Sequence, residues 1–174
     1  AVDGSGALVH LESTSSGRVL SAADHPLGLV TYQGFDEADY QRFYDQLTPT
    51  PDDDWWARLD NTKPGIDAAG AVSGCWAPSL LGAWQRAAGA EVLARVGFTG
   101  VAVDRLGAPA EVWLRWAPAD HGGLGLTLAW ADKPANRLPE ATWCSFVPVV
   151  AEPERWQLDK LGRLVSPLDV VRRG

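Results

Sequence analysis

A chain of 174 residues, 46% of them apolar, has the length of one domain and can bury a core without help from disulfides. Its net charge of −7, with no basic stripe to offset it, opposes a phosphate backbone and disfavours nucleic-acid binding. The longest apolar run, Phe146 to Ala151, is too short to cross a bilayer and is broken by Pro148, so no membrane span is expected.

The first residues, Ala1 to Gly6, carry no basic and no apolar segment, so no signal peptide is visible. The chain contains no methionine, and its native start is expected upstream. Ala7 to Glu12 and Gly17 to Ser21 read as two short strands around a Ser13–Gly17 turn cluster. Leu27 to Phe35 reads as a longer strand. Asp36 is a good helix N-cap, with Glu37 and Asp39 placed to suit the helix dipole, and Tyr40, Phe43, Tyr44 and Leu47 follow at helical spacing. The Pro-rich Thr48–Pro51 stops that helix. Asp52 to Trp56 opens a second helical turn, so a helical insertion spans about 36–58. The Gly-, Pro- and Asp-rich stretch from Asn61 to Gly74 suits a long irregular connection.

Alternation then dominates. Val92, Ala94, Val96 and Phe98 share one side of a strand. Val112, Leu114 and Trp116 share one side of the next, with Glu111, Trp113 and Arg115 opposite. Leu124, Leu126, Leu128 and Trp130 share one side of a third. Leu81, Trp84, Ala88, Val92 and Val96 also fit a helix. Gly82 and Gly89 inside that run, each costing roughly 1 kcal/mol in a helix, favour two strands with a turn near Gly89. The expected fold is mainly β: a single antiparallel β-sandwich domain over 1–174 with one or two short helices.

The nine tryptophans are expected chiefly in the core, and otherwise as sugar-stacking platforms. Cys75 and Cys144 cannot make a disulfide framework or a zinc site and are read as buried free thiols, with a single bridge between them as the alternative. His10, His25 and His121 lack metal-ligand spacing, and His121 falls in a hairpin loop. Asp52 to Asp54 lacks the alternating ligands of a calcium loop and reads as a solvated helix start. Ser79 and Ser145 have no nucleophile elbow. No cofactor is implied.

The richest segment is the loop Asp132–Glu140. Lys133, Asn136, Arg137 and Glu140 offer charged and amide groups for hydroxyl recognition, and Trp130 and Trp143 flank them. That combination suits a sugar, whose ring edge is polar and whose face is apolar. The structural alternative is an ion pair of Asp132 or Glu140 with Lys133 or Arg137 that pins a loop stiffened by Pro134 and Pro139. Further on, Asp159 is placed to hold the end of a strand that begins near Trp156.

The blocks His25-Pro-Leu-Gly-Leu-Val-Thr-Tyr-Gln-Gly-Phe, Ala38-Asp-Tyr-Gln-Arg-Phe, Asp132-Lys-Pro-Ala-Asn-Arg-Leu-Pro-Glu-Ala and Leu158-Asp-Lys-Leu-Gly carry a family likeness over nearly the whole chain. They resemble a bacterial and fungal family of uncharacterised proteins related to family 38 glycoside hydrolases, the α-mannosidase-like group. The resemblance implies a β-sandwich lying C-terminal to a catalytic domain. In such enzymes the metal-binding His and Asp residues and the nucleophilic carboxylate lie on the N-terminal domain. No matching motif stands here, so no catalytic residue and no metal ligand is carried over. A loop lent to the active-site rim would be Asp132–Glu140.

Three functions are therefore expected in descending order. The first is a non-catalytic sandwich that buttresses the catalytic domain of the same polypeptide and shapes a carbohydrate cleft. The second is a free-standing carbohydrate-binding module using Trp55, Trp56 or Trp113. The third is a small intact enzyme, for which no nucleophile–base pattern is present.

Overall fold

The computed structural model describes residues 1–47, 55–86 and 90–169. Period-two alternation builds its two main sheets. The strands β1 (Leu11–Glu12) and β2 (Val19–Ser21) form a small ribbon ahead of them. In β3 (Leu27–Gly34) Val30 and Tyr32 point inward and are buried, while Thr31 and Gln33 point outward. β3 runs between β4 (Gly74–Trp76) and a strand near the C-terminal end, Glu140–Phe146, with antiparallel pairing on both sides. The second sheet is an antiparallel meander of β5 (Ser79–Gln85), β6 (Val92–Gly97), β7 (Glu111–Pro118) and β8 (Leu124–Ala129). Glu140–Phe146 is β9, and a hairpin of β10 (Leu158–Lys160) and β11 (Arg163–Val165) follows.

The inner faces of the two sheets share one core. Val30 and Tyr32 of β3 meet Ala94 and Val96 of β6 and Val112 and Leu114 of β7. This is the mainly β, sandwich-like packing that the alternation predicts. Residues 87–89, where a turn between β5 and β6 is expected, lie outside the described residues.

Two helices stand between β3 and β4, α1 (Glu37–Leu47) and α2 (Trp55–Asn61). Asp36 caps α1 reciprocally: its carboxylate accepts the Asp39 N–H at 2.9 Å, and the Asp39 carboxylate accepts the Asp36 N–H at 3.2 Å. Both Thr48–Pro51 and Asp52–Asp54 lie outside the described residues. A further short helix, α3 (Val101–Asp104), has no periodic signal in the sequence. It sends Ala102 and Leu106 into the core beside Phe98.

Four expectations need correction. Ala7 to His10 is not a continuous strand: Leu8 makes only isolated bridges, to Val2 and Leu27. A loop tied by Asp3 takes that path instead, its carboxylate accepting the N–H of Ser5 at 2.8 Å and of Ala7 at 3.1 Å. Trp130 does not share the inner side with Leu126 and Leu128, because β8 ends at Ala129 and the Trp130 indole is 45% exposed. Cys75 is exposed on an edge strand, whereas Cys144 is half-buried, and burial pushes the Cys144 thiol up. Their strands flank β3 with Cys75 beside Gln33 and Cys144 beside Val30, on opposite faces, and both are free. Finally, Trp116 is buried, but Trp56, Trp84, Trp130, Trp143 and Trp156 are all exposed.

Gly28 shows how tightly the sandwich closes at one end. It sits at a bulge between β3 and β9 with φ +71°, and a Cβ there would lie 2.5 Å from Cζ2 of the buried Trp116. Both the backbone and the space demand glycine. Gly28→Ala should destabilise the fold by roughly 2–4 kcal/mol, read as a lower urea midpoint with an unchanged slope.

Candidate functional site

Alternation that fills the core also decides what the outside of each sheet presents. On the meander, Gly82, Arg95, Trp113 and Ala129 stand in one cross-strand row, and Trp84, Leu93, Arg115 and Thr127 in the next. Gly82 has no side chain, so the Trp84 indole lies down over it; a Cβ would meet Trp84 Cη2 at 2.7 Å. The indole thereby reaches Trp113, with ring centroids 5.9 Å apart and planes 20° from parallel. The Arg95 guanidinium stands 5.7 Å from the Trp113 ring centroid and 3.9 Å from the Glu111 carboxylate. Beside this row Glu91 is held by Arg115 at 2.5 Å and Arg86 at 3.4 Å, and the Arg115 contact draws its carboxyl below the usual range.

A cleft of about 370 Å³ opens at the edge of this platform. Trp113 and Trp130 supply aromatic surface, Glu111 and Asp132 supply carboxylates, and Ala129 and Ala131 keep its wall low. Asp132 adopts a left-handed conformation, φ +54°, which Asp tolerates better than most residues. Its carboxylate is exposed and meets no partner among the described residues.

The loop that carries Asp132 is anchored from beneath. Lys133 Nζ lies 2.5 Å from Glu140 Oε1. The other Glu140 oxygen and the Leu106 carbonyl, at 2.5 Å, both face the Tyr32 hydroxyl and compete for its single proton. Asn136 donates its amide to the same Leu106 carbonyl and accepts the Leu138 N–H at 3.0 Å. A carbonyl oxygen has two lone pairs, so Leu106 can serve both donors. Burial, then the Glu140 carboxylate, push the Tyr32 phenol well above the usual tyrosine range.

The six sequence-derived site residues are thus divided. Lys133, Asn136 and Glu140 form a brace that faces Tyr32 and Leu106. Arg137 is exposed and stands apart from that brace, with no partner among the described residues. Trp130 joins the cleft beside Trp113, whereas Trp143 lies outward on the other sheet and donates its indole N–H to Gln33 at 2.8 Å. Trp130 and Trp143 therefore do not flank one site. Of the alternative tryptophans, Trp113 is in the platform, Trp56 is exposed on α2, and the Trp55 side chain lies outside the described residues. Sequence reasoning does not single out Trp84, Glu111 or Asp132 as members of the cleft or its platform, although the alternation Glu111-Trp113-Arg115 already puts that row opposite the core. Among the described residues no cluster of His, Cys, Asp and Glu is arranged to hold a metal ion. No described helix is long and apolar enough to cross a membrane.

The brace sets a pH dependence. The fold holds the Tyr32 proton more tightly than the unfolded chain does, so this stabilisation is complete below the unfolded tyrosine pKa of about 10 and is lost as pH rises beyond it. Urea unfolding across that range should show stability falling with pH, and Tyr32→Phe should flatten the slope.

A second cleft of about 370 Å³ lies between α1 and Gln33 on the other sheet. Its lining includes Gln33 and Gln46 and an Asp39–Arg42 ion pair whose Asp39 is already engaged in capping α1. No curated protein and no solved structure matches this chain. Residues 1–122 match the family described as "Domain of unknown function (DUF5054)", and on that match the chain belongs to this family.

Proposed function

We propose that this chain is the non-catalytic β-sandwich of a glycoside hydrolase-like protein, packed beside a catalytic domain and contributing a carbohydrate contact. The observation that carries the reading is the outer-face cleft, where Trp113 and Trp130 stand with Glu111 and Asp132. Indole faces stack on the apolar face of a sugar ring, and carboxylates accept its hydroxyl protons. The platform is rigid before any ligand arrives, because Trp84 supports Trp113 and the brace fixes the Asp132 loop. A glycosidase acid is kept protonated in an apolar pocket. Glu111 and Asp132 are both solvent-exposed, which suits ligand contact rather than acid catalysis.

Titration of the chain with oligosaccharides, followed by tryptophan fluorescence and calorimetry, tests this. Trp113→Ala should weaken binding roughly tenfold, with unchanged circular dichroism because the residue faces outward. Absence of binding to every sugar of a glycan array at millimolar concentration would defeat the reading.

The buttressing part of the proposal has its own support in the C-terminal hairpin. Leu158, Leu164 and Leu168 are 63%, 64% and 73% exposed, and Leu161 at the hairpin tip is fully so. Leu158 and Leu164 project from opposite faces of the hairpin, so a partner that covers these leucines would have to wrap both faces. In the full-length polypeptide, Leu161→Asp with Leu164→Asp should lower the unfolding temperature of the adjoining domain, while this chain alone keeps its midpoint. Equal shifts in both would count against docking through the hairpin.

A further inference from the structure

We infer that the outer-face cleft selects amino sugars, binding hexosamine units with a free amine in preference to neutral or N-acetylated ones. This deepens the carbohydrate reading of the same cleft and rests on it.

The charge balance of the cleft carries the inference. Glu111 and Asp132 are its ionisable lining groups, and no Lys or Arg lines it among the described residues. The nearest sequence cation, Lys133, is drawn away from Asp132 by Glu140 at 2.5 Å. The brace therefore leaves Asp132 uncompensated at the lip. The Arg95 guanidinium, 3.9 Å from Glu111 and 5.7 Å from the Trp113 ring centroid, partly offsets Glu111, so the uncompensated charge at the cleft is chiefly that of Asp132. Two indoles complete the lining, and the negative face of an indole also attracts a cation.

A sugar ammonium answers all of these groups together. It presents three N–H donors to carboxylates that have only acceptors to offer. Its charge strengthens each of those bonds relative to a neutral hydroxyl. Its ring still stacks on indole. An acetamide removes the charge and adds bulk, and a uronic acid would be repelled by both carboxylates.

The test uses three β-1,4-linked tetramers that differ only at C2: glucosamine, N-acetylglucosamine and glucose. Calorimetry with the intact chain at low salt should show the glucosamine tetramer binding about tenfold more tightly than the other two. That preference should shrink as salt rises and as pH rises through the titration of the amine. Asp132→Asn with Glu111→Gln should bring the ratio of affinities close to one, and Trp113→Ala should weaken all three ligands. Equal affinity for the three tetramers would overturn the amino-sugar inference and leave the carbohydrate reading standing. A preference that survives the double carboxylate variant would also overturn it. Failure of every tetramer to bind would remove both readings.

Discussion

One hydroxyl group holds the loop beside the outer-face cleft in place. The Tyr32 phenol lies in the core of β3, yet its oxygen reaches the Leu106 carbonyl after α3 and the Glu140 carboxylate at the start of β9. Three segments distant in sequence converge on it. A buried polar group without partners would cost roughly 1–3 kcal/mol, so the phenol demands these acceptors, and the acceptors are rigid because the phenol sits in a packed core. Through Glu140 the constraint passes to Lys133, and through Leu106 it passes to Asn136. The loop they carry ends at the cleft. Core packing and surface chemistry are in this way parts of one network.

The legible and illegible parts of this arrangement have different physical origins. Strand alternation reports which side of a residue is buried, and Val92 to Phe98 and Glu111 to Ala117 are readable for that reason. The α1 start is readable because Asp36 can cap only a helix that begins there. α3 is not, since four residues hold no periodicity, and its position is fixed by Ala102 and Leu106 filling the core. The Asp132–Glu140 loop is recognisable as chemically rich, and the Lys133–Glu140 pair is one of its two readings. What sequence does not reveal is the partner below, because Tyr32 lies 108 residues from Glu140 along the chain. The tryptophans mislead for a related reason. An indole in a period-two strand belongs to whichever side its register assigns, and register is a tertiary property.

The outward row on the meander follows from that same register. Trp84 and Trp113 are separated by a strand, and they touch only because Gly82 lets one indole recline across the intervening surface. A larger residue at Gly82 would lift Trp84 away from its neighbour. Glycine here therefore serves a surface rather than a turn. The cleft beside the platform inherits its rigidity from β7 and its charge from one end of the sheet, where Glu111 starts β7 and Asp132 follows the end of β8.

The extent of the family match bears on how this surface divides. Residues 1–122 include Trp84, Arg95, Glu111 and Trp113, whereas Trp130, Asp132 and the brace residues Lys133, Asn136 and Glu140 lie beyond. The end of the match is not a structural boundary. β9 pairs with β3 over seven positions from Leu27 to Gly34, and β8 pairs with β7 over six, so both sheets need strands outside it. Removing everything after residue 122 would expose the edges of β3 and β7 and leave the Tyr32 hydroxyl without Glu140. The platform could then keep its residues but lose the packing that orients them. Ligand choice, on this reading, is divided between a floor within the family's matched region and a lip beyond it. The lip keeps its position only because β9 returns to the first long strand and places Glu140 against Tyr32.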